Sequence, residues 1–81
     1  MRELLIIDIT EISVICIFTQ YPEKHLYLDR SYFPAEVSIG CKLIHIEHGY
    51  CDLYDENNML AAFINFRHAM KSFEEKYSTK Q

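Results

Sequence analysis

The sequence predicts an α+β fold: a small five-stranded antiparallel SH3-like β-barrel over residues 1–56, followed by one long C-terminal α-helix over 57–78. Three observations carry this expectation. Short runs rich in Ile, Val, Leu and Tyr recur as far as residue 54, separated by turn residues. From Asn58 onward the apolar spacing changes to alternating steps of four and three. At 81 residues the chain has room for a single domain, 1–81, with a modest core.

Each element follows from its own residues. "ELLIIDI" and "SVICIFT" read as two strands because β-branched residues fit a pleated, half-buried surface. "TEIS" joins them as a turn without Gly or Pro. "QYPEKH" is the next turn, with Pro22 at the second position of a type I turn, where its fixed φ is already correct. "HLYLDR" is the third strand, and "SYFPAEVSIG" a loop around Pro34 with one turn of 3₁₀ helix. "CKLIHIE" and "YCDLY" are the fourth and fifth strands, joined at His48-Gly49, because Gly supplies the positive φ that a tight hairpin needs. Met59, Phe63, Phe66, Met70, Phe73 and Tyr77 then form one stripe on a helix. Asp55 or Asn57 is placed to cap its start, and Lys71, Lys76 and Lys80 lie toward the end where the dipole favours cations. An OB-fold would place a helix between the third and fourth strands, so the terminal helix favours the SH3-like order.

Composition narrows the function classes. Hydrophobic residues make up 49% of the chain and charged residues 25%, a globular profile. The longest apolar run, "VICIF", is far short of the ~20 residues of a membrane-spanning helix. "MRELLIID" is too short and acidic for a secretory signal, and three cysteines without a CxxC fit reduced thiols, so a cytoplasmic protein is expected. The net charge is −4, and no Lys or Arg occurs between Lys42 and Arg67, an interval that holds Glu47, Asp52, Asp55 and Glu56. Direct nucleic-acid binding needs the opposite sign.

The order of pieces "IID" (6–8), "ICI" (15–17), "RSYFP" (30–34), "GCKL" (40–43) and "DENN" (55–58) resembles a family of short bacterial proteins of unknown function. That family has a hydrophobic "IID" start, an "R-S-x-L-P" loop, a "G-D-x-L" strand and an acidic cap before a C-terminal helix. Its usual Arg after the first Asp is Ile9 here, its Gly in the first turn is Ile12, and its Asp after the second Gly is Cys41. The resemblance implies a compact β-barrel with a trailing helix and carries no activity, cofactor or site residue.

Four places hold residues with chemical potential. Cys41, His45, His48 and Cys51 have zinc-ligand atoms, but on a strand Cys41 and His45 stand about 13 Å apart at about 3.3 Å per residue, too far to share one ion. A hairpin with buried cysteines and exposed histidines is the simpler reading, and no metal or cofactor is expected. No nucleophile sits in an elbow such as GxSxG, and two glycines cannot build a phosphate cradle, so no catalytic residue is assigned. In "LDRSYFP", Phe33 plugs the barrel end and Asp29–Arg30 reads as a solvated pair. The helix stripe buries against the barrel, although a helix of twenty residues spans about 30 Å and its last turns would overhang. Met70, Phe73 and Tyr77 are then expected to form a homodimer seam.

The remaining feature is the acidic stretch itself. On a strand, Tyr50, Asp52 and Tyr54 share one face, with Glu47 across the hairpin and Asp55 and Glu56 at its end. Charges supply steering, and tyrosines supply contact area at small entropic cost. The expected function is a non-catalytic binding module that regulates or tethers a protein partner with a basic surface, using Glu47, Tyr50, Asp52, Tyr54, Asp55 and Glu56. The alternative is a phage-type inhibitor, of the anti-CRISPR or anti-restriction kind, whose acidic patch occupies the nucleic-acid site of a nuclease.

Overall fold

The computed structural model describes residues 3–45 and 47–77, with the side chains of residues 45 and 47 outside that description. Six strands form one antiparallel sheet: β1 (Glu3–Ile9), β2 (Ser13–Phe18), β3 (Tyr21–Asp29), β4 (Lys42–His45), β5 (Cys51–Tyr54) and β6 (Leu60–Ile64). A helix, α1 (Phe66–Tyr77), follows. The strand order is β3-β2-β1-β4-β5-β6, so two meanders extend in opposite directions from β1.

The sheet is open, and the five-stranded closed barrel is corrected to this architecture. Its end strands, β3 and β6, do not pair with each other. Instead α1, which starts two residues after β6, packs on β3 and takes the place beside that edge that a closing strand would need. Phe66 and Ala69 enter the core, and Phe73 stacks on Tyr27 of β3 at a centroid distance of 5.5 Å.

The helix starts later than the 57–78 expected, at Phe66, while residue 78 and Lys80 lie outside the described residues. Met59 lies in a hairpin turn and Phe63 on β6, so only Phe66, Met70, Phe73 and Tyr77 of the stripe are helical. Asp55 and Asn57 do not cap the helix. Asp55 Oδ1 accepts the N–H groups of Asn57 (2.8 Å) and Met59 (2.9 Å), closing the β5–β6 turn, in which Asn58 takes a φ of 62°. The helix is capped by Asn65, whose Oδ1 accepts the His68 N–H at 3.1 Å.

Side chains alternate across the sheet. Leu4, Ile6, Val14, Cys16, Leu28, Leu43, Cys51, Leu53 and Ile64 point inward and are fully buried. Each buried Leu or Ile contributes about 1.5–3 kcal/mol relative to exposure. Phe33 and Val37, from the β3–β4 connection, complete the core. The β1–β2 turn needs no Gly because Thr10 Oγ1 accepts the Ile12 and Ser13 N–H groups at 3.2 and 3.0 Å. Pro22 is not in a turn. The β2–β3 register passes from Ile17↔His25 to Phe18↔Tyr21, so Pro22, Glu23 and Lys24 bulge from the edge of β3. The 3₁₀ turn falls at Arg30–Tyr32, at the start of the long loop.

Candidate functional site

β5 places the candidate residues by its alternation. Cys51 and Leu53 are buried, which turns Tyr50, Asp52 and Tyr54 to the opposite, outer face. Asp52 sits between Ile44 of β4 and Phe63 of β6, and Tyr54 between Lys42 and Leu60. Tyr50 stacks on Phe63, with centroids 5.3 Å apart and ring planes at 12°. Its hydroxyl accepts a 3.3 Å hydrogen bond from Asn65 Nδ2. Asn65 thus ties the start of α1 to the aromatic pair.

The same face exposes the large apolar side chains of Leu60 and Phe63, and the turn before β6 exposes Met59. Met59, Leu60 and Phe63 are 63%, 63% and 62% exposed, the highest values among the large hydrophobic residues described. Sequence reading missed all three as surface groups, because the four-three spacing placed Met59 and Phe63 on a buried helical stripe. The signal that would have found them is Asp-Glu-Asn-Asn ahead of a short apolar run, which reads equally well as a hairpin turn before a strand.

The acids do not form one patch. Asp55 is engaged by its own turn, and Glu56 Oε2 accepts a 3.2 Å hydrogen bond from Ser38 on the β3–β4 connection. The side chain of Glu47 lies outside the described residues. Lys42, beside Tyr54, is held by Glu3 at 3.7 Å, an exposed pair of small energetic weight. Asp52 is therefore the carboxylate that accompanies the tyrosines on the outer face.

Comparison with protein-family models, with curated proteins and with solved structures returned no match. The resemblance to short bacterial proteins accordingly rests on the quoted segments alone.

The cysteines at the β4–β5 hairpin point inward: Cys41 is 2% exposed and Cys51 0%. Burial pushes the Cys51 thiol up to about 12, and the charge of Asp52 adds to the shift. Cys16 is also pushed up to about 12, by burial first and by Cys51 second. His48 is exposed at a φ of 64°, beside Gly49 at 83°. A Cβ on Gly49 would also meet Arg67 of α1 at 3.0 Å, so this turn needs glycine for conformation and for space. Among the described residues, no group of three His, Cys, Asp or Glu side chains is arranged to hold a metal ion.

"LDRSYFP" proves structural in a way the sequence reading missed. Asp29 is not solvated but 3% exposed. It accepts hydrogen bonds from Ser31 N–H (2.9 Å), Ser31 Oγ (2.8 Å) and Ser72 Oγ of α1 (2.6 Å), and Lys76 Nζ lies 3.1 Å away. Burial by itself would raise its pKa. The hydrogen bonds from Ser72, Ser31 and Lys76 outweigh burial and hold the carboxyl well below the usual range. The Asp-x-Ser pattern, an acid two residues before a hydroxyl at a turn, is the signal for such a cap. Arg30 Nη1 donates to Thr10 O at 2.9 Å, fastening the β1–β2 turn.

The expected dimer seam has partners within its own chain. Met70 packs against the core, and Phe73 stacks on Tyr27 and contacts Tyr77 at 5.1 Å. Over its 12 described residues the helix is about 18 Å long, shorter than the roughly 30 Å that motivated the seam, and it packs on β3. Among the described residues no helix is long and apolar enough to cross a membrane.

Proposed function

We propose that the chain is a non-catalytic binding module that docks a partner protein on the outer face of β4, β5 and β6. The observation that carries this reading is the stacked Tyr50–Phe63 pair, 37% and 62% exposed, set beside Asp52. Exposed aromatic rings with a charge at their margin are the composition of contact surfaces rather than of solvated ones. Hydrogen bonding by Asn65 fixes Tyr50 before any partner arrives, which lowers the entropic cost of binding. The partner surface is basic where it meets Asp52. The inhibitor reading, in which acids imitate nucleic acid, needs a run of free carboxylates, whereas Asp55 and Glu56 accept hydrogen bonds from their own chain.

Affinity capture with the unmodified protein and with Phe63→Ser and Asp52→Lys as parallel baits tests the proposal. A partner retained by the first and lost by both variants, each of unchanged melting temperature, supports it. Equal retention by all three removes this face from the function.

A further inference from the structure

The two edges of the sheet are treated differently. β3 is obstructed at both ends: Pro22, Glu23 and Lys24 bulge out at one, and α1 packs on Tyr27 and Asp29 toward the other. Proline, charge, irregularity and a covering helix are the devices by which an edge strand is kept from pairing with another chain. β6 lacks proline and charge, and its one irregularity among the described residues is a bulge at Ala61 near its start. From Met59 to Asn65 it has no charged residue and no proline. Among the described residues, no backbone hydrogen bond joins 60–64 to anything but β5. Its exposed Leu60 and Phe63 stand beside that open edge.

We infer that the free edge of β6 receives an extended segment of the partner protein as an added antiparallel or parallel strand, with Lys or Arg at alternate positions. This rests on the proposed reading of the outer face and specifies how that face is used. Main-chain pairing supplies affinity, and alternate side chains supply selectivity. The bulge at Ala61 confines regular pairing to the stretch from Ala62 onward. Side chains that an added strand turns to the outer face lie over Phe63 and reach toward Asp52, one strand further in. A cation there meets an aromatic face and a carboxylate. Charge decides against a second copy as the occupant: each chain carries −4, and the interval from 43 to 66 contains no Lys or Arg. Lys42 is held by Glu3.

The probe is a blocked peptide of about seven residues, long enough for a typical strand, alternating Lys and Val. It is titrated into isotope-labelled protein while amide shifts and hydrogen exchange are read. Saturable binding is expected, with slowed exchange at residues 60–65. N-methylating one alternate set of peptide amides leaves affinity unchanged, while methylating the other set weakens it by roughly tenfold or more, because only one edge of the peptide pairs. Replacing Lys by Glu abolishes binding. The inference is overturned by equal binding of both methylated peptides, by no saturation at about 1 mM, or by protection on β3. Protection of 60–65 that grows with protein concentration in the absence of peptide assigns the edge to a second copy and also overturns it. If the peptide fails while Phe63→Ser and Asp52→Lys still lose the captured partner, the docking face stands and only the strand-addition inference falls. If all baits retain the partner, the docking face falls whatever the peptide does.

Discussion

Asp29 of β3 and Ser72 of α1 are joined by a 2.6 Å hydrogen bond at a site where the carboxylate is almost fully buried. The same carboxylate caps the 3₁₀ turn through Ser31 and meets Lys76. One side chain therefore holds the terminal helix, the edge strand and the start of the long loop in register. Removing the Ser72 hydroxyl takes away a hydrogen bond to a charged group, so Ser72→Ala lowers stability by about 1.5–3 kcal/mol. Asp29→Ala costs more, because several donors lose their acceptor together. Urea unfolding followed by circular dichroism measures both. An unchanged midpoint for Ser72→Ala would show that the helix is held elsewhere.

Asp29 also ties the stability of the fold to acid pH. Its folded pKa lies below the unfolded value of about 3.9, so its contribution is present above that pH. As pH falls below about 4 the unfolded chain takes up the proton first and the contribution shrinks. Asp29→Asn is expected to be less stable than the parent at pH 7 and to lose less stability between neutral pH and strongly acid pH. Parallel denaturant curves across that range check this. Equal acid slopes for the two proteins would assign the acid dependence to other carboxylates.

The opposite limb belongs to the thiols. Cys16 and Cys51 are raised to about 12 in the folded protein. An unfolded thiol ionises near pH 8.5. Stability from the neutral buried thiols is complete below that pH and is lost as pH rises from about 8.5 toward about 12. At pH 8 a thiol reagent should leave both unmodified until denaturant is added, since the thiolate is the reactive form and both are buried. Labelling of either at the rate of a free thiol, without unfolding, would contradict this placement.

The β-rich first part of the chain was legible because its strands carry β-branched runs: "ELLIIDI" and "SVICIF" fall where the pattern puts them. The face carrying Tyr50, Asp52 and Tyr54 follows from the period of two alone. β6 was illegible for a physical reason. "LAAFI" contains Leu and two Ala, good helix formers, and Met59 and Phe63 happen to continue backward the spacing of the true helix, which begins at Phe66. Pairing with β5, a tertiary influence, overrides that local preference. The helix cap was misplaced by the same error, since Asn65 is the residue next to the real start. The role of Asp29 in holding the helix was invisible because its partners Ser72 and Lys76 lie more than forty residues away in sequence, although Asp-x-Ser signals its local cap.

Phe73 separates the packed helix from a dimer seam. It stacks on Tyr27 at an interplanar angle of 22° and meets Tyr77 at 42°, so its ring has two aromatic neighbours within one chain. Aromatic pairs of this kind are worth about 0.5–1.5 kcal/mol beyond their buried area. Phe73→Glu is therefore expected to destabilise the chain by about 2–3 kcal/mol, summing the lost stacking and burial. A double-mutant cycle with Tyr27→Ala should return a coupling near 1 kcal/mol, as neighbouring residues do. The unfolding midpoint of the parent should not change with protein concentration, because the interaction is intramolecular. A midpoint that rises with concentration, and stops rising when Phe73 is replaced by Glu, would instead place Met70, Phe73 and Tyr77 at an interface between two copies.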